Sequence, residues 1–74
     1  MTTNIVRSYY AVDCNYVVNK KNDHYYQIYK VERNSFTDKD EYKFITHRET
    51  LKSADKLAKL LAETYAEGFS YGVY

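Results

Sequence analysis

Apolar and polar positions alternate with period two over residues 4–18. Val6, Ser8, Tyr10, Val12, Cys14, Tyr16 and Val18 fall on one side, and Arg7, Asp13, Asn15 and Asn19 fall mostly on the other. Such alternation marks an extended chain, whose successive side chains point to opposite faces. Fifteen residues is long for one strand, so a bend, bulge or break is expected near residues 13–15. The polar cluster Asn19, Lys20, Lys21, Asn22 and Asp23 reads as a hairpin loop. A second strand is predicted over residues 24–33, with Tyr26 and Ile28 on one face and Tyr25, Tyr29 and Val31 on the other. Residues 34–41 form a second polar connection, with Phe36 a candidate to tuck beneath it. The third strand is predicted over residues 42–47, with Tyr42 and Phe44 on one side and Lys43, Ile45 and His47 on the other.

The period then changes. Ala54, Leu57, Ala58, Leu61 and Tyr65 recur at helical spacing, and Leu60 widens the stripe. Ser53 is the candidate N-cap, since its hydroxyl can accept a bond from an orphan backbone N–H. Leu51 can pack back on the first turn, as in a hydrophobic staple. Gly68 stands where a glycine would stop the helix. A helix of about 14 residues is marginal alone and must lie against the sheet. The prediction is an α+β fold, β-β-β-α, in which a three-stranded antiparallel sheet packs against one C-terminal amphipathic helix. Residues 69–74 form an aromatic tail or a short fourth strand. One set of second-strand side chains should pack on Leu57, Leu61 and Tyr65, and the other set should stay uncovered.

Composition adds constraints. With 74 residues the chain is one small domain, 1–74, and a domain of this size buries only roughly 60% of the surface its unfolded chain exposes. Cys14 is the only cysteine, so no disulfide within the chain can help, and a lone thiol suits a reducing compartment. Polar residues follow Met1, with no basic stretch leading into an apolar run. No apolar run approaches a membrane span. The expectation is a cytoplasmic protein (host cytoplasm, if phage-encoded) that does not engage membranes. Ten tyrosines and no tryptophan are present. Tyrosine combines an apolar ring with a polar tip, so it serves half-buried sheets and binding surfaces alike. The net charge is only +1. Residues 1–37 hold five basic and three acidic groups, and residues 38–74 hold six and seven. Neither half has the field of a protein that grips nucleic acid through phosphates alone.

Catalytic chemistry finds little support. Nucleophilic catalysis needs an activated serine or thiol. Only His24 and His47 could act as its base, and no nucleophile motif surrounds them. Cys14 lies on the apolar side of its strand and reads as a buried structural thiol. One cysteine and two scattered histidines lack metal-site spacing. Both glycines, Gly68 and Gly72, lie too late for a phosphate-binding loop. The carboxylates Asp38, Asp40 and Glu41 share a polar loop, whereas acid–base pairs want different, desolvated surroundings. No enzyme activity, cofactor or metal is expected.

Binding is the better expectation. One helix covers one face, so some rings of the second strand should be exposed as a protein-binding surface. Lys52, Lys56 and Lys59 crowd the helix start, with Glu63 and Glu67 near its end. That order opposes the helix dipole and would welcome an anion or an acidic partner, although a solvated face is the plainer reading. The candidate partner-binding residues are Tyr25, Tyr29, Arg33, Tyr42, Lys52, Lys56, Tyr71 and Tyr74. Over residues 25–65, a three-stranded sheet followed by the helix start Thr50-Leu51-Lys52-Ser53-Ala54 resembles, in order of elements, certain sheet-based DNA-binding domains. These are the domains at the N-termini of tyrosine recombinases and in plant AP2 factors. The resemblance implies nucleic-acid binding through strand cations, here Arg7, Lys30, Arg33 and Lys43. The strand arginines and tryptophans of those domains are missing. The leading expectation is therefore a small non-enzymatic module that occludes a protein partner. Such a module suits a phage or mobile-element inhibitor of a host nucleoprotein complex, in the manner of an anti-CRISPR. A DNA- or RNA-binding domain and a homodimeric structural module are the alternatives.

Overall fold

The computed structural model describes residues 4–34 and 36–71, with side chains described through residue 68. Four strands, β1 (Ile5–Ala11), β2 (Cys14–Asn22), β3 (Tyr25–Asn34) and β4 (Lys39–Arg48), precede one helix, α1 (Leu51–Tyr71). The strands form an antiparallel meander in the order β1-β2-β3-β4. The architecture is α+β, with one C-terminal helix on a four-stranded sheet.

The fourth strand comes from the first alternating run. The expected break is a complete reversal, with Ala11 paired to Cys14 across Val12 and Asp13. Val12 adopts φ 54°, an unfavourable region for a β-branched residue. Side chains from two elements grip this turn. The Tyr10 hydroxyl donates to the Val12 carbonyl, and the Tyr65 hydroxyl donates to Asp13 Oδ1 at 2.9 Å. The reversal also corrects the single face predicted for residues 6–18. Tyr9 pairs with Tyr16 and Ala11 with Cys14, whereas Ser8 and Tyr10 pair with Val17 and Asn15 on the opposite side. Val6 occupies an irregularity between Ile5 and Arg7 and still packs on the core.

The later boundaries also move. β2 runs on through Asn22, so the turn is Asp23 and His24, and His24 does not begin a strand. An irregularity between Ile28 and Tyr29 pairs these residues with Thr46 and Phe44, leaving Ile45 extra. That bulge returns His47 to the face of Phe44, against simple alternation. Phe36 does not tuck under the loop and is 99% exposed.

Helix α1 begins earlier and ends later than the periodicity indicates. Thr50, not Ser53, is the cap: its hydroxyl accepts from the Ser53 N–H at 3.2 Å, and its carbonyl accepts from Ala54 at 3.1 Å. Leu51 is then the first helical residue and packs on the core rather than stapling the turn from outside. The helix continues through Gly68 to Tyr71, so residues 69–71 are helical rather than a fourth strand. Residues 72–74 lie outside the described part. Leu60 does not widen the stripe, because it faces outward and is exposed.

The core explains the packing. Ala54, Ala58 and Ala62 recur every four residues along the buried helix face, flanked by Leu51, Leu57, Leu61 and Tyr65. Small residues on the helix accept large ones on the sheet: Tyr16, Val18, Tyr26 and Ile28 are buried beneath it. The helix lies mainly over β1 and β2 and touches β3 and β4 less.

Candidate functional site

Cross-strand register sorts the sheet into two faces. Helix-side pairs include Val18 with Ile28 and Tyr16 with Lys30. The other side carries Val17 paired with Tyr29, and Val31 paired with Tyr42. No described element covers this second face. Its centre is nevertheless apolar. Val17 is 5% exposed and Val31 is 8% exposed.

Aromatic residues stand across from them, Tyr29 opposite Val17 and Tyr42 opposite Val31. Tyr29 meets Tyr42 edge-on with centroids 6.1 Å apart and Phe44 with centroids 5.7 Å apart. Edge-to-face contacts of this kind set ring geometry as well as adding energy. Tyr42 remains 50% exposed and Phe44 52% exposed. Towards one end of the face, Tyr25 stacks on His47 with centroids 4.9 Å apart. Towards the other end, Arg33 binds Asp38 through Nε at 3.0 Å and Nη2 at 2.5 Å. Asp38 sits at φ 58°, where an aspartate is tolerated better than most residues. Tyr10 extends the face onto β1, largely exposed.

The sheet thus brings together Tyr25, Tyr29, Tyr42 and Arg33 of the sequence candidates. It does not bring Lys52 and Lys56 to them. Both lysines are exposed on the helix, on the far side of the sheet from the rings. A shallow hollow of about 370 Å³ at the helix start is lined by His47, Arg48, Glu49, Thr50 and Ser53, and neither lysine lines it. Tyr71 closes the helix with its side chain outside the described part, and Tyr74 lies outside it altogether. The sequence reading missed Phe44 and Val17 as members of the face. The pairing of Tyr42 with Phe44 held a signal for Phe44, whereas Val17 emerges only once the reversal at Val12 fixes the register.

The helix side carries the ionic groups. Glu32 accepts from Lys30 at 3.2 Å and from Lys43 at 2.6 Å. The Lys43 and Lys30 bonds hold its carboxyl below the usual carboxylate range. Lys30 also lies 4.5 Å from the Tyr65 ring centroid. At the other edge, Arg7 reaches Asp55 at 3.5 Å, and Tyr9 donates to the same carboxylate. That bond raises the Tyr9 hydroxyl above its ordinary value. All four strand cations of the nucleic-acid expectation therefore have a carboxylate partner, which counts against phosphate binding.

Cys14 is buried, and burial pushes its thiol up, so it is protonated and a poor nucleophile at neutral pH. Among the described residues, no three His, Cys, Asp or Glu side chains gather as metal ligands, and no helix is long and apolar enough to cross a membrane. No protein-family model matches the chain, and no curated protein or solved structure matches it either.

Proposed function

We propose that the protein is a non-enzymatic binding module that works by laying the open face of its sheet against a protein partner. The observation that carries this reading is the ring cluster of partly exposed Tyr29 with half-exposed Tyr42 and Phe44, beside two buried valines, with no described element above it. Tyrosine and phenylalanine fixed by ring contacts offer large contact area at small entropic cost. The uncharged centre of the face favours a protein surface over a phosphate backbone. Occlusion is the mode of action proposed, and a phage or mobile-element inhibitor acting in the host cytoplasm, in the manner of an anti-CRISPR, is its specific form. A lone buried thiol suits such a reducing compartment.

The experiment is affinity capture from host-cell lysate, followed by mass spectrometry and stoichiometry of the isolated complex. Wild type should hold a host nuclease or surveillance complex in a fixed ratio. Phe44→Glu should lose it while Lys56→Glu keeps it. No captured protein, or capture indifferent to Phe44→Glu, overturns the reading.

A further inference from the structure

We infer that the first occupant of the open face is a second copy of this chain, the two sheets meeting face to face around a two-fold axis. The inference rests on reading this face as a binding surface and names one partner for it. Four features select a second copy.

The first is electrostatic. The centre formed by Val17, Tyr29, Val31, Tyr42 and Phe44 carries no charge; the charges of the face lie at its margin, where Arg33 pairs with Asp38 and stands across from Asp40. Two copies can meet there without opposing like charges, and the chain's net charge of +1 adds little repulsion.

The second is area. Four strands spaced about 4.8 Å apart, with up to ten residues at about 3.3 Å each, present roughly 600 Å² of face per copy. Two copies then cover roughly 1,200 Å², at the lower edge of stable interfaces. Isologous packing of this kind is the commonest route to a homodimer.

The third is the shortage of core. Ile28 and Val18 are the largest fully buried side chains, and three alanines make up the buried centre of the helix. A small chain whose helix contributes mainly alanines to the core, under Tyr16 and Tyr26, gains proportionately from covering half-exposed rings. Sheets packed face to face lie about 10 Å apart, which would enclose the Tyr42 and Phe44 rings.

The fourth is that edge-to-edge pairing is obstructed. β1 has a register irregularity at Val6 next to Arg7, and β4 is bulged at Ile45 and carries Lys39, Asp40, Glu41 and Lys43. Bulges and charges are the usual guards of a sheet edge. Because one face cannot hold two occupants, a protein partner would have to displace the second copy.

Sedimentation equilibrium from about 1 μM to about 1 mM, a range suited to a small interface, tests this. Wild type should follow a monomer–dimer equilibrium. Phe44→Glu and, independently, Tyr42→Glu should weaken the dimer at least tenfold while circular dichroism shows the fold retained. Lys56→Glu should leave it unchanged. A wild type that stays monomeric throughout, or a dimer indifferent to both open-face variants, overturns the inference. The capture experiment separates the two ideas. A monomer that still holds a protein through Phe44 removes the second copy and leaves the binding reading standing. A monomer that holds none removes both.

Discussion

The two faces of this sheet solve the same problem in different ways. On the helix side, Tyr16, Val18, Tyr26 and Ile28 are buried by a stripe of alanines from another element. On the open side, Val17 and Val31 are buried with no described element over them, and the neighbouring Tyr42 and Phe44 rings remain half exposed. One face is finished within the fold, and the other is finished only at its lowest level. The contrast teaches that burial alone does not identify core. Val17 and Val18 are sequence neighbours with nearly equal burial, yet only Val18 belongs to the cluster beneath the helix. The charge distribution runs the same way. Lys30, Glu32 and Lys43 stand on the helix side where α1 reaches least, while the corresponding open-face positions of β3 and β4 carry Tyr29, Tyr42 and Phe44.

The largest test of the contrast is Ile28→Ala against Phe44→Ser. Ile28 is fully buried beneath the helix, so its truncation should cost about 2–5 kcal/mol and bring so small a domain close to unfolding. Phe44 is half exposed, and its change should cost about 1 kcal/mol or less while abolishing association through the open face. Urea denaturation of both variants measures the difference. Equal losses would mean that the open face is ordinary core.

Val18→Ala and Val17→Ala sharpen the same point at adjacent positions. Val18 leaves a cavity closed by the helix and should cost about 2–3 kcal/mol. Val17 leaves a gap that neighbouring rings and water can fill, and about 1 kcal/mol is expected. In a dimer the Val17 loss should grow with protein concentration, because the second sheet then seals the gap.

Much of this contrast was legible in the sequence, though unevenly. The assignment of Tyr26 and Ile28 to one face, and of Tyr25, Tyr29 and Val31 to the other, follows from strict alternation in an uninterrupted strand, and β3 realises it. The helical stripe was legible too, except that Ala62 belongs to it and Leu60 does not. What alternation cannot show is a place where the chain breaks its own rule. The reversal at Val12 lacks the glycine that would announce it and is held by Tyr10 and by Tyr65, distant in sequence. The bulge at Ile45 is fixed by pairing with β3, and it moved His47 across the sheet. Thr50 caps the helix because the chain leaves β4 two residues earlier, a tertiary constraint absent from local propensity. The candidate site divides accordingly. Its β3 residues were readable, Phe44 was half readable, and the separation of Lys52 and Lys56 from the rings required the layer order.

The turn at Val12 offers a smaller test, outside both faces. A β-branched residue at φ 54° carries about 1–2 kcal/mol of strain that glycine would not. Glycine gives back part of that gain through greater freedom in the unfolded chain. Val12→Gly should therefore stabilise the protein by about 0.5–1 kcal/mol, read as a higher thermal midpoint, without altering association through Tyr42 and Phe44. A destabilised variant would show that the valine side chain contributes packing that outweighs its backbone.

The smallest effect belongs to the ionic side. Lys43 and Lys30 hold Glu32 below its ordinary value, so its folded pKa lies beneath its unfolded one. A carboxylate shifted in that direction stabilises the fold above the unfolded value and loses its contribution as pH falls through the folded value. Urea midpoints should accordingly fall as pH drops from neutrality past the normal carboxylate range, and part of that fall should vanish in Glu32→Gln. The two proteins should differ at neutral pH and converge in acid. The difference should be modest, because Lys43 is well solvated and Glu32 is partly exposed. It should also leave dimerisation untouched at neutral pH, since Glu32 stands on the face opposite the rings. A Glu32→Gln variant that lost association while keeping its fold would place ionic groups of the helix side in the interface, and the division of labour between the faces would fail.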